Sequence, residues 1–569
     1  MSATPIHRHT ACTLAAALLT IQMVFAAAAV QAVERPSGSG SHADLVALFA
    51  EFLDWRDPPL ITDTRPNTVP ESGALPDYSP ETIARRVSEM EDYQQRLADM
   101  AVADWQRGQQ VDWVAVRGVM DEYEFILKVT RPWARDPNFY VEQLLSLAFT
   151  ELPVSGSDAE ILRSKLEGIP GFLAAAKAQL TDAASDYADY ALFNLSNEDN
   201  VNPGHPQRPV PPAGLIGWYE DLLARTPTQP ELTPLVQAAL DAIRDYRDWI
   251  QANRASMTAR AGVGPEKLDW FLRHVKMIPY SAVEAKAVAK REVDRQRAFL
   301  ALERHRNRKL PEIELPENEA EYLQRLAATD AKVRKWMVEE SIIDLPDFVP
   351  SDWRVMGYNV PWVERQGPPN FWEQIQYRDP MPDHLHAVIP GHRFDGWMER
   401  HNDRPIRGAI SFGDRREGWG LYLEEAAVQL GLMQDRPRTR ELIYAMGLWR
   451  ALRTYGDLHN QRNEWTMQET MDYWMREAPW MDRGVAGRYA YLRPSPGTSL
   501  HYTMGMVQMV RLLSDRYLQL GDDFVLKDFH DDFMARGRIP ISLIRWDMTG
   551  LEDDLDMFFK RTPVDELLD

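Results

Sequence analysis

Apolar positions recur at helical spacing through most of the chain, and the pattern predicts a mostly α protein. The first stripe starts near His42, with Leu45, Leu48, Phe49, Phe52 and Leu53 on one face. Ser79-Pro80-Glu81 opens a second helix, the serine as cap and the proline in the first turn. The period continues through Leu97, Met100 and Trp105 and over 111–129, breaks at 132–140, and resumes as far as Leu152. Residues 157–194 read as one or two helices, with Gly168-Ile169-Pro170-Gly171 as the expected break. A loop rich in Pro, Asn and Gly follows at 197–214, then a helical pattern over 215–303. Ser281 is placed to cap a long charged helix over 282–306, whose Lys and Arg alternate with acids as on a solvated face. Further helices are expected over 418–432, 438–462, 466–477, 500–519 and 528–535. Residues 345–382 differ. They mix Pro, aromatic and Val residues in short runs such as Trp353-Arg354-Val355-Met356-Gly357-Tyr358, and predict a short strand or hairpin.

That stretch leads into the densest chemistry of the chain. His384, His386 and His392 fall within nine residues, and a new helix then starts at Glu417-Gly418-Trp419. Two imidazole nitrogens and one carboxylate oxygen, with a fourth position left open, are the donor set of a hydrolytic zinc site. On a straight helix His386 and His392 would lie roughly 240° apart around the axis and could not share an ion. Pro390-Gly391 offers a bend that would bring them together. The residue types alone equally admit two hydrogen-bonded histidines in a turn.

Composition narrows the address and the chemistry. Residues 1–32 read as a cleavable signal peptide, with Arg8 near the start, an apolar run over 14–29 and Val30-Gln31-Ala32 at the cleavage positions. The run is too short to predict stable membrane insertion. The single cysteine, Cys12, lies inside it and lacks a lipobox context. The mature chain therefore offers neither disulfides nor a thiolate ligand, and a periplasmic or secreted address follows. Residues 33–42 read as a flexible leader and 43–569 as one helical domain. A formal charge of −21 argues against nucleic acid and anionic membrane as partners. Eighteen tryptophans fit the core and crevice walls of a large helical protein. No G-x-S-x-G elbow is present, which leaves serine-nucleophile chemistry without support.

Several segments together resemble the bacterial DUF885 family. They are Pro390-Gly391-His392, Arg416-Glu417-Gly418-Trp419-Gly420-Leu421-Tyr422 and Pro496-Gly497-Thr498-Ser499-Leu500-His501-Tyr502. Phe529-His530-Asp531, Gly537-Arg538-Ile539-Pro540 and the Arg131–Tyr140 stretch extend the likeness over nearly the whole mature chain. The family is grouped with zincin-like metallopeptidases, so the resemblance implies a large multi-helix zincin-like fold, with a small sheet beside the metal. It implies zinc on His386, His392 and Glu417, with Tyr502, Arg453 and Asp457 around the substrate, while His501, where the family has serine, adds an ionisable group that its motif lacks. Glu424, seven residues after Glu417 on the same helix face, could buttress a histidine, but a solvent-facing carboxylate is the simpler expectation. The chain departs from the family where the general base belongs: His-Glu becomes His386-Ala387. Gln461 replaces a histidine four residues after Asp457, and His459 points about 200° away on the same helix. Two functions stay open. One is an exported zinc hydrolase of a small peptide or amide-like substrate, its base relocated to Asp395, or to Glu417 if that is not a ligand. The other is a homologue that has lost catalysis and binds a peptide-like or small ligand. The retained ligand set favours the first.

Overall fold

The computed structural model describes residues 33–56, 74–197, 206, 208, 212–363, 369–481 and 483–568. The expected signal peptide, and most of the proline-rich connection before Ser79, lie outside the described residues. The chain is built of helices, and β pairing among the described residues is limited to two isolated bridges, Ala184 to Ala259 and Ser411 to Arg538. One cluster of buried apolar side chains runs from Leu45 to Phe558, so residues from both ends of the sequence share a core. No helix among the described residues is long and apolar enough to cross a membrane.

The helices that position the site are α1 (Ala282–Asn307), α2 (Glu319–Glu339), α3 (His392–Arg400), α4 (Gly413–Gln429), α5 (Pro437–Gln461), α6 (Leu500–Leu520) and α7 (Leu526–Ala535). α1 begins with a full capping box, Ser281 with Glu284, as the sequence predicts. It packs along α5, and α4 packs along α6. The α4–α6 crossing is close because it is made by glycines. A Cβ on Gly418 would fall inside the backbone of Gly505, and one on Gly505 would strike the Asp414 carbonyl and Gly418 Cα. Backbone cannot step aside as a side chain can. Gly505→Ala is therefore expected to cost about 1–3 kcal/mol or more, as overpacking does. It should also loosen metal binding, which thermal melts read beside a zinc titration will measure.

Two expectations are corrected. The hairpin expected in 345–382 is absent among the described residues: Trp353–Met356 and Phe371–Arg378 are short helices. Its aromatic residues instead build a satellite cluster, with Trp353 and Tyr377 packed around Tyr322 and Leu326 of α2. The break at Pro170 is absent, since Gly156–Gln179 is one helix with Pro170 inside it. Burial of Leu162, Leu166, Ile169, Phe172 and Leu173 along one face outweighs the single backbone bond a proline removes. Within residues 33–42, Gly38 and Ser39 donate to the Met100 and Asp99 carbonyls, and Pro36 accepts from Ala103.

Candidate metal centre

The histidine stretch is helical but broken at the expected place. His384–Val388 is a π turn, and the Ile389-Pro390 peptide that follows is cis. Gly391 then lies so close over the turn that a Cβ there would overlap the His386 carbonyl. Only glycine permits that approach. His392 opens α3, and its ring comes back beside His386, centroid to centroid 4.6 Å, the two planes at 79°. Trp419 of α4 ties the bend down by donating Nε1–H to the Pro390 carbonyl at 2.9 Å.

Glu417, one turn into α4, completes the group. Its Oε2 lies 3.1 Å from His386 Nε2 and 3.2 Å from His392 Nε2, and each residue offers a ligand atom within 4.8 Å of the others. Tetrahedral zinc with bonds of about 2 Å needs donors about 3.3 Å apart, so this separation suits the ion. The side chains of His392 and Glu417 keep 16 % and 20 % of their surface, which leaves one side approachable.

The surroundings of His386 demand a positive charge. Its Nδ1 lies 2.8 Å from Glu424 Oε1 while Nε2 faces Glu417. A neutral imidazole has one N–H and cannot serve both carboxylates. Either a second proton or a cation at Nε2 reconciles them. Glu424 is fully buried and takes a hydrogen bond from Arg450 Nη1 of α5 at 2.8 Å, which holds its carboxylate beside Nδ1. Carboxylates placed in this way orient zinc-binding histidines. Burial works against the His386 imidazolium, but Glu417 and Glu424 outweigh it and raise its pKa. Burial would raise Glu417 as well, yet the two imidazoles hold it well below the usual carboxylate range. Burial lowers His392. Glu424→Gln is expected to weaken zinc about 10–100-fold with the ligands intact, checked by competition with a chelating dye.

The remaining predicted residues fall into two groups. Tyr502, from the first turn of α6, lies parallel to His386 at 6.0 Å between centroids, and Arg453 packs on its ring. Burial, with Glu417 nearby, raises the Tyr502 phenol, so it stays protonated and able to donate. His501 packs against Gly413, a turn before Glu417; burial keeps it neutral, and its Nε2 has no partner among the described residues. Asp457 lies further along α5; burial pushes its carboxyl up to about 7.

Asp395 stands apart. Both its oxygens are taken, one by Arg415 Nη2 at 3.0 Å and the other by Arg538 Nε at 2.9 Å. Burial is outweighed by these arginines and its pKa is lowered, so it braces α3 against α4 and is poorly suited to take a proton. Ala387 is buried on the π turn. His384 turns away to Asp330, 3.0 Å from its Nε2. His459 stacks on Trp465, away from the centre. The other motif residues are structural: Tyr422 donates to His530 Nε2 at 2.9 Å, and His530 Nδ1–H to the Ile342 carbonyl at 2.7 Å. Sequence alone does not predict the Gly418–Gly505 crossing, the pairing of Arg450 with Glu424, or Tyr489 against Arg453. Arg450, Arg453 and Asp457 follow the family's Arg-x-x-Arg-x-x-x-Asp spacing, which marks the arginine pair but not its partners.

Comparison with known proteins bears on the fold and the family. The family described as "Bacterial protein of unknown function (DUF885)" matches residues 64–348 and 382–548. No curated protein matches. A "putative lipoprotein of unknown function" from Shewanella oneidensis superposes with a TM-score of 0.68 at 16% identity, over 90% of this chain and all of the other. A "putative lipoprotein" from Colwellia psychrerythraea gives 0.65 at 14% identity, over 91% of this chain and 99% of the other. At such identities the likeness speaks for the fold alone.

Proposed function

The chain belongs to the DUF885 family, and from that premise we propose that it is an exported zinc-dependent hydrolase of amide bonds in small peptide-like substrates. The observation that carries the reading is the convergence of His386 Nε2, His392 Nε2 and Glu417 Oε2 at separations that suit tetrahedral zinc, with one side approachable. Zinc held there would supply Lewis acidity, polarising a carbonyl and making water nucleophilic near neutral pH. The protein's own part is orientation and charge. Glu424 and Arg450 hold the His386 ring in place, and the Arg415–Asp395–Arg538 brace holds the start of α3. Tyr502, kept protonated, is placed to donate to an oxygen as it gains negative charge. The position of Ala387 leaves proton abstraction poorly served, so hydrolysis should be slow. That same position favours the second reading, a homologue that binds such ligands without turning them over.

The test is metal analysis of protein purified without a histidine tag, paired with hydrolysis of aminoacyl amides. Stoichiometric zinc with chelator-sensitive turnover supports the hydrolase. Zinc without turnover favours the binding protein. Protein that neither carries zinc nor takes it up overturns the metal reading.

A further inference from the structure

Arg453 is 2 % exposed, yet among the described residues it makes no hydrogen bond and no ion pair, and its Nε is buried without a partner. Each of the other buried arginines among the described residues has a carboxylate within ion-pair distance: Arg450 has Glu424, Arg415 has Asp395, Arg407 has Asp112 and Asp547, Arg117 has Asp121, Arg440 has Glu303 and Arg545 has Asp515. A guanidinium does not shed its proton, so its charge has been taken from water with no carboxylate in contact; the nearby Asp457 feels that charge without pairing with it. What holds it is aromatic. Its Cζ lies 4.1 Å from the centre of the Tyr489 ring, 4.3 Å from that of Tyr502 and 5.4 Å from that of Trp449. Contacts of that kind engage the face of the guanidinium and leave its N–H edge free, and that edge matches a carboxylate with two parallel hydrogen bonds. Asp457, four residues on, does not pair with it and has an unpartnered oxygen of its own. Tyr502, on whose ring Arg453 packs, also lies parallel to His386 of the candidate metal centre, so one ring links the guanidinium to that centre.

We propose that Arg453 is the carboxylate-binding residue beside the candidate metal centre, and that the ligand is an N-acylated amino acid or short peptide with a free α-carboxylate near the amide to be cut. The location of that amide rests on the hydrolase reading; the binding of the carboxylate does not.

The probe pair is N-acetylphenylalanine and N-acetylphenylalaninamide, titrated calorimetrically into the full chain with zinc and again after chelation. The acid should bind about tenfold or more tightly than the amide in both states, as a charge-assisted pair in a buried site requires. Arg453→Gln should abolish the difference and Arg453→Lys should keep part of it. Equal affinity for acid and amide in the native protein overturns the proposal, and this needs no variant to fold. So does a preference that survives Arg453→Gln, or no binding of the acid up to about 10 mM. A preference that vanishes on chelation but survives Arg453→Gln puts the carboxylate on the metal: the subsite fails and the metal reading stands. A preference intact in metal-free His386→Ala, with wild-type protein that neither takes up zinc nor hydrolyses amides, does the reverse.

Discussion

Alanine in place of His386, His392 or Glu417 is expected to release zinc while leaving the far-ultraviolet helical signal nearly unchanged. Four-ligand zinc sites are worth about 10–16 kcal/mol, or about 3 kcal/mol a ligand, so each change should weaken binding at least about a hundredfold. Glu417 should be the most damaging of the three, because its one oxygen faces both imidazoles. Its removal also leaves His386 with Glu424 alone and releases His392 from its partner. The helices should survive, since α4 is held by its glycine crossing with α6 and by Trp419 on the Pro390 carbonyl rather than by Glu417. Zinc content by mass spectrometry, alongside circular dichroism, is the measurement. Zinc retained in all three variants would overturn the assignment of these residues as ligands.

The sequence was legible where a local rule governs. Helical period predicts the major helices, and Ser281-Glu284 caps α1 as its letters suggest. Pro390-Gly391 bends the chain between two histidines that a straight helix would separate. It was illegible where tertiary packing outweighs a local preference. Pro170 stays inside a helix because five neighbouring apolar side chains are buried along its face. The run at 353–358 has strand-like composition, but its aromatic groups find Tyr322 and Leu326, and the backbone follows them. Asp395 illustrates the same limit within the site. Its place three residues after His392 suggests a base, whereas Arg538, over a hundred residues later, turns it into a brace. Spacing names residues that share a helix face; it cannot say which distant cation reaches them first.

Ala387→Glu is expected to raise hydrolysis of peptide or aminoacyl-amide substrates by two to four orders of magnitude, the usual worth of a general base. Ala387 is buried and directly follows His386 on the π turn, so a carboxylate there would start beside the candidate centre. It needs to reach about 3 Å from the attacking water to accept its proton. The turn is tight, and a glutamate that could not leave the core would stay protonated or unfold the turn. Melting temperature and zinc content must therefore be measured with the rate. Gln461 is the second departure, a buried residue on α5 one turn beyond Asp457. With Gln461→His, an ionisable partner returns beside a carboxyl that burial has already pushed up to about 7. The double variant is the fuller restoration and should be at least as fast as Ala387→Glu alone. If the native protein is already fast, a base stands elsewhere, and His501→Gln should slow it, because His501 is neutral with an unpartnered Nε2 near Glu417. Asp395→Asn is predicted to act differently, lowering stability and zinc affinity together as its two arginines lose their carboxylate. Folded, zinc-loaded protein that stays inactive in both the native and the doubly restored forms would leave ligand binding as its function.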